Sequence, residues 1–381
     1  DASEREYIDA AWLSRLDVLA LEDRSFSARS VSVYFVDMLS KLKIKTPARH
    51  ALTTSRSQAP VSHLKSYDQP NYGTLVGDSL YLPLPYMTFL PGQIPGLLAG
   101  EEIAVYKFNR NDPKFTQSAV LARLPQSRSL LNTSRTTVTA TLDPDDLMVM
   151  EIGCNIEFKG ASKMTFGQLI SQADYYAAIE NYLGIPADKR YKPKQDAEKV
   201  AEMKAKLASA VSETILDMKL RSVGKFDITS IGCTPDSPNT EIAFTAEAEN
   251  LVSRVGNNLL VDVGKLIGKQ MILKESQRTR EIEAILPYPS NDRFEMQFSV
   301  PAGYVVNDES LEMLNSQIVN NAGTFACRAK VKADDPSVIE ISVMLTLRNS
   351  VYTPEQWPEV VALIDASATF SGKSLLLNPA K

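Results

Sequence analysis

The chain has 381 residues, 44% of them hydrophobic and 23% charged, with 17 Gly and 21 Pro. That is ordinary globular usage, enough chain for two or three domains, and it argues against disorder and collagen-like repeats. A formal charge of −5, from 41 Lys and Arg against 46 Asp and Glu, leaves no basic footprint for nucleic acid. No apolar run is long enough to span a membrane. The chain opens on Asp-Ala-Ser without an initiator Met or a signal h-region and reads as a mature or trimmed chain.

In chain order, Ile8, Ala11, Trp12, Leu16 and Leu19 predict a first amphipathic helix over 4–22. Val31, Tyr34, Phe35, Met38, Leu39 and Leu42 predict a second over 27–43, with a broad apolar stripe. Strands are expected at 49–54 and 76–82, then a Pro- and Gly-rich passage, then a strand Ile103–Phe108. These elements form an α/β or α+β unit over 1–115. The period then changes to two, over Thr136–Leu142 and through Met150, Ile152, Cys154, Ile156 and Phe158, which turns Cys154 into a core. Two helices follow, one ending near Gly184 and one beginning after Asp196, so 116–223 links to the last part or belongs to it. The basic run Lys189–Lys194 between them reads as a solvated loop.

From 224 to 381 the chain is nearly all strand: Phe226–Ile231, Ile242–Ala248, Leu259–Val263, Arg280–Leu286, Phe294–Val300, Phe325–Val331 and Ile339–Leu347. Turn signals between them favour a mostly antiparallel β-sandwich with inserted helices, an α+β chain overall. Cys327 keeps step with Phe325, Ala329 and Val331 and is expected in the core. Thr353-Pro354-Glu355-Gln356 is a capping box that starts a helix, and Ser374–Leu377 closes the chain as a strand.

Most of the common chemistries lack their residues. His50 and His63 are the two histidines, both in polar stretches, and with three cysteines they make no zinc spacing, so no metal and no cofactor is expected. Gly372-Lys373-Ser374 lacks the first glycine of a P-loop, and Gly264–Lys269 is one residue short of one. Asp143-Pro144-Asp145-Asp146 reads as a turn.

The helix at 27–43, the strands after it, the Pro- and Gly-rich passage and the terminal β region together resemble the transglutaminase-like (papain-like) superfamily. The resemblance is to exported bacterial members with flanking β-sandwich domains, and it runs from about residue 24 to the C-terminus. Met38–Ile44 is similar to the end of the family's nucleophile helix, Val300-Pro301-Ala302-Gly303-Tyr304 to a strand end in its last domain, and Tyr352–Leu377 to its closing helix and strand. The resemblance implies a degenerate transglutaminase-like core and an exported, periplasmic or cell-surface protein.

It also implies where a catalytic triad would stand. Ala28 falls at the nucleophilic thiol, Tyr72 at the histidine and Pro83 at the aspartate. Acyl transfer needs a thiolate raised by an imidazole and oriented by a carboxylate or amide, and these three side chains supply none of them. The expectation is a pseudoenzyme that binds a peptide, protein or glycan. One alternative is a hydrolase with relocated residues, Ser27 or Ser30 as nucleophile, His63 as base and Asp78 as orienter. The other is a sandwich module that assembles through its strand edges.

Overall fold

The computed structural model describes residues 36, 39, 41, 48–53, 71–77, 79–81, 89–90, 93–106, 120–164, 172–190, 197–268 and 270–380. The fold is a β-rich α+β fold, with 44% strand and 24% helix. It divides into two compact units, one of residues 1–127 with 164–168 and 233–236, the other of residues 128–163, 169–232 and 237–381. The helix expected over 4–22 lies outside the described residues, and of the next, Val36, Leu39 and Lys41 are helical.

Among the described residues, the first unit carries one antiparallel sheet. Its strands are β1 (Ala48–Thr53), β2 (Asn71–Val76), β3 (Ser79–Tyr81), β4 (Glu102–Tyr106) and β5 (Val120–Arg123), in the order β3-β2-β1-β4-β5. Of the strand expected at 76–82, Ser79–Tyr81 forms β3, the second arm of a tight hairpin with β2, because Gly77 at φ 58° reverses the chain after Val76. Ala51, Leu80, Leu98, Ile103, Val105 and Leu124 form the core of this unit, with Leu75 and Ile94 packed against it.

The second unit is built on an eight-stranded sheet. Its strands are β6 (Thr133–Leu142), β7 (Met150–Lys159), β8 (Ser222–Ile231), β9 (Thr240–Ala248), β13 (Ser290–Ser299), β15 (Ser316–Val319), β16 (Gly323–Lys332) and β17 (Asp335–Leu347). They lie in the order β15-β16-β17-β13-β6-β7-β9-β8. Residues 128–163 therefore supply β6 and β7 to the same sheet as the strands after residue 222. Every neighbouring pair in this sheet is antiparallel except β6 and β13, which run parallel at its centre. A four-stranded sheet joins β10 (Val252–Val255), β11 (Asn258–Val261), β19 (Leu375–Pro379) and β14 (Tyr304–Val306), and β12 (Ala284–Ile285) pairs with β18 (Val351–Tyr352).

The central parallel pair is held at one end by Asn132. Its carboxamide Nδ2 donates to Pro289 O at 2.9 Å and its Oδ1 accepts from Ala161 N at 2.9 Å, while its backbone O accepts from Asn291 N. The starts of β6 and β13 and the end of β7 thus share one buried side chain. Gly160 makes the fit possible: its φ is +64°, and a Cβ there would stand 2.0 Å from Leu131 O. Lys163 is wholly buried and donates from Nζ to Gly232 O at 2.9 Å and Pro238 O at 3.1 Å, which closes the turn after β8 with a charge-assisted contact.

Among the described residues five α-helices attach to this frame: α1 (Gln172–Tyr182), α2 (Ala197–Leu216), α3 (Glu275–Arg278), α4 (Asp308–Glu312) and α5 (Trp357–Ser371). The helix expected to stop near Gly184 does so, with Gly184 at φ 63° and Ile185 N bonded back to Glu180 O. Arg190, from the expected basic loop, donates to Ile185 O at 2.8 Å. The capping box before α5 is half made: Thr353 N donates to Gln356 Oε1 at 3.1 Å, but the Thr353 hydroxyl serves Glu355 and the helix proper starts at Trp357. The strand expected over Arg280–Leu286 shrinks to Ala284–Ile285. Side chains tie the preceding stretch to α5 instead: Arg278 forms a forked pair with Asp365, and the Arg280 guanidinium lies 4.5 Å over the Trp357 ring.

Helix α5 covers the inner face of the eight-stranded sheet at β15–β17, with Trp357, Val360, Leu363, Ile364 and Phe370 buried and Phe370 tilted against Phe325. That inner face is continuous across the sheet: Ile152, Cys154 and Ile156 on β7, Ile242 and Phe244 on β9, Phe294, Met296 and Phe298 on β13, Phe325 and Cys327 on β16, Ile339 and Ile341 on β17. The period of two seen in the sequence is this burial.

Candidate functional site on the outer face of the sheet

Because strand side chains alternate, the residues between those core positions all emerge on the opposite face. Strand register arranges them in rows across the sheet. One row runs Ala243, Asn155, Thr137, Glu295, Ser342, Arg328, and the next runs Thr245, Gly153, Thr139, Gln297, Glu340, Lys330. A third begins Glu241, Glu157, Arg135. Among the described residues no element covers this part of the face, which holds a cleft of about 990 Å³ that crosses β6, β13, β17, β16 and β15. Thr137, Thr139, Glu295, Gln297, Gln317, Arg328, Lys330, Glu340 and Ser342 line it, over backbone of the core-facing residues. A second hollow of about 410 Å³ shares Thr137 and continues over β7 and β9 to Arg135, Asn155, Glu157 and Glu241.

Several charges on this face are paired. Arg135 meets Glu295 at 2.7 Å, a contact that holds the guanidinium pKa above its ordinary value, and Lys330 meets Glu340 at 3.1 Å. Asn239 donates to Glu157 at 2.5 Å. Arg328, Glu241, Lys159 and Arg293 have no ion-pair partner among the described residues, and Arg293 Nε donates to Asn291 Oδ1 at 3.3 Å. Arg328 is exposed and has no side-chain partner among the described residues, and the Glu241 carboxylate likewise has none although it lies directly opposite Glu157. Two like charges facing each other across a strand pair disfavour the fold. The cleft itself is balanced, with Glu295 and Glu340 against Arg328 and Lys330.

One edge of the sheet is guarded beside the cleft. Asn315 places its carboxamide against the open edge of β16, accepting from Ala329 N at 2.7 Å and donating to Ala329 O at 3.3 Å, as a neighbouring strand would. At the other edge, β8 is broken by two irregularities in its register with β9. Short, capped or bulged edges resist pairing with another chain.

The thiols lie away from this face. Cys154 and Cys327 point inward, and burial pushes each up to about 12, so both remain protonated at neutral pH. Cys233 is buried as well. Asp292, at the end of the inner face, accepts from the Ser134 hydroxyl at 2.7 Å, yet desolvation raises its pKa against the opposing hydrogen bonds from Ser134 and Ser290.

Of the positions suggested by the family resemblance, Ala28 and Pro83 lie outside the described residues, as do Ser27, Ser30, His63 and Asp78. Tyr72 is on β2, opposite Leu52 of β1, and His50 is on β1 between Thr74 and Tyr106. Asp143 and Asp146 accept backbone N–H bonds from Asp145 and Met148, which is the expected turn. Residues 263–267, which overlap the P-loop-like stretch Gly264–Lys269, form a 3-10 helix, and Gly372 ends α5. The outer-face rows were hidden in the sequence, because outward Thr, Glu, Gln and Arg on a strand look the same whether solvated or lining a hollow. Their signal is the register, which brings Arg328 beside Ser342 and Glu241 beside Glu157 across the ladder.

No family model and no curated protein matches the chain. Among solved structures, a candidate protease from Parabacteroides distasonis is similar at 9% identity and a TM-score of 0.41, covering 94% of this chain and 45% of that one. The chain thus spans less than half the length of that protein. Baculovirus P35 is similar at 8% identity and a TM-score of 0.17, covering 65% of this chain and 96% of its own. Neither likeness carries a fold or an activity over to this chain.

Proposed function

We propose that the chain is a non-catalytic binding module, of the exported cell-envelope kind that the transglutaminase-like resemblance implies, and that its ligand seat is the outer face of the eight-stranded sheet. The observation that carries the seat is the cleft of about 990 Å³ on that face, lined by hydroxyls, amides and charges. Its size is that of pockets that enclose small ligands, and convergent polar groups are what fix a ligand's orientation. Two features support a non-catalytic role. Ala28, Tyr72 and Pro83 stand where the superfamily has its thiol, imidazole and carboxylate. The cysteines the chain does have are buried, and Cys154 and Cys327 are held protonated. Assembly through the sheet edges is disfavoured by the Asn315 cap on β16 and the irregular β8.

The test is a saturation-transfer NMR screen of short peptides, oligosaccharides and small metabolites against the purified chain, repeated on Ser342→Trp, which fills the middle of the cleft. Ligands that bind the parent chain are expected to lose binding to the variant while its melting temperature stays the same. Ligands that bind both alike would place the seat elsewhere. Cleavage or deamidation of a peptide substrate, lost in Ser30→Ala or His63→Ala, would overturn the non-catalytic reading.

A further inference from the structure

The stretch Lys274–Glu283 carries α3 and is tied to α5, yet its composition gives it little hold there. Ile282 is its one apolar side chain and is 75% exposed, so docking gains little from the hydrophobic effect. Leu273 and Ala284, just outside either end, are buried and pin it, and Ala284 also pairs with Tyr352 in the β12–β18 ladder. Between these pins, and among the described residues, three polar contacts reach the rest of the chain, all to two residues of α5. Arg278 forks onto Asp365 at 2.7 and 2.9 Å, Gln277 O accepts from Trp357 Nε1 at 2.8 Å, and the Arg280 guanidinium stacks over the Trp357 ring.

Two features weaken this attachment. The side chains of the Arg278–Asp365 fork are 36% and 41% exposed, so water screens much of their attraction. Arg278 also has a second carboxylate inside the stretch, Glu275 at 3.6 Å, which it keeps when Asp365 is lost. Arg280 buries its Nε without an acceptor, a cost that water removes once the guanidinium is released. A segment with few buried apolar contacts opens at a smaller free energy than the unit that carries it. We propose that Lys274–Glu283 is a strap that lifts from α5 while the eight-stranded sheet stays folded, with the Arg278–Asp365 fork as its latch, and that lifting bares the indole of Trp357. Closed, Arg278 serves Asp365 and the Trp357 indole N–H is bonded to Gln277 O; open, Arg278 retains Glu275 and the indole N–H meets water. Trp357 is 2% exposed at the start of α5, so the strap decides whether a large aromatic side chain is offered to solvent. Helix α5 lies on the face of the sheet opposite the cleft, so this device stands or falls independently of the proposed ligand seat.

The test is hydrogen exchange of the Trp357 indole N–H in the full 15N-labelled chain, read by NMR, with Trp12→Phe used to assign the two indole signals. Exchange is expected to stay nearly flat on adding about 1 M urea, because lifting the strap exposes little surface, whereas exchange through global unfolding rises steeply with urea. Asp365→Asn is expected to speed exchange at least about threefold by weakening the latch, with the urea midpoint of the whole chain unchanged. Arg280→Met keeps an unbranched side chain against the ring and removes the orphaned donor, and is expected to slow exchange by at least about twofold. A general loss of stability would speed exchange in both variants and lower both urea midpoints. Exchange that follows global unfolding in urea, that ignores Asp365→Asn, or that quickens in Arg280→Met would overturn the proposal.

Discussion

The two faces of the eight-stranded sheet are made from the same strands, residue by residue, and have opposite physics. On β13, Phe294, Met296 and Phe298 are buried, while Arg293 before them and Gln297 among them are exposed. Over β15–β17 the inner face is closed by α5, and the contacts of this face are dispersion and apolar burial, which are tolerant of sequence but not of lost volume. The outer face is held by cross-strand ion pairs and hydroxyl contacts that stay partly in water, where each adds little stability. Stability is concentrated on one side of the sheet.

The sharpest way to break this comparison is to change two adjacent residues on the same strand. Phe298 is fully buried, and Phe298→Ala is expected to cost about 3–5 kcal/mol, the transfer of the ring plus the cavity it leaves. Gln297→Ala, one residue away on the outer face, is expected to stay within about 0.5 kcal/mol. Urea unfolding of both variants checks this, and equal costs would mean that the outer face contributes to the core.

A smaller effect is expected where the inner face holds a charge. Burial raises the Asp292 carboxyl above its unfolded value, with the Ser134 and Ser290 hydroxyls opposing the shift. A raised carboxyl pKa means that the folded state binds the proton more tightly than the unfolded one, so ionised Asp292 works against folding. The penalty is absent below the ordinary carboxyl range near pH 4, grows as pH rises toward the raised folded value, and is complete above it. Asp292→Asn keeps an acceptor for Ser134 and removes the charge. Its melting temperature is expected to exceed the parent's at pH 7, with the advantage gone at pH 3. A parent that is favoured at pH 7 would show that the two hydroxyl donors outweigh desolvation.

The inner face was legible in the sequence and the outer face was not, for one physical reason. Burial selects residue type, so Met150, Ile152, Cys154 and Ile156 announce both a strand and its core side, and Cys154 and Cys327 could be placed in the core from their neighbours alone. Exposure selects much less, so the outward residues carry no mark of what they face. The parallel pairing of β6 with β13, separated by about 150 residues, is also invisible to local pattern, and it sets the row Thr137–Glu295–Ser342–Arg328. Failures of local reading have the same origin. Arg280–Leu286 alternates like a strand, but Arg278 and Arg280 engage Asp365 and Trp357 in place of a ladder. The strand expected at 76–82 caught β3 but ran through the turn at Gly77 and left β2 unread, because Asn71, Gly73 and Thr74 give that strand little apolar alternation.

The smallest expected effect concerns the Arg135–Glu295 pair, which joins β6 to β13 across the middle of the outer face. The contact is short, at 2.7 Å, but the side chains are 54% and 43% exposed, so water screens most of the attraction. A double-mutant cycle through Arg135→Ala, Glu295→Ala and the pair is expected to give a coupling of about 0.2–1 kcal/mol, and less at high salt. A larger, salt-independent coupling would mean that the pair is effectively buried, and the outer face would then contribute to folding as the inner one does. The weaker value has a consequence for binding. A pair worth so little can open to meet a ligand, so Glu295 would be available to a basic group entering the cleft.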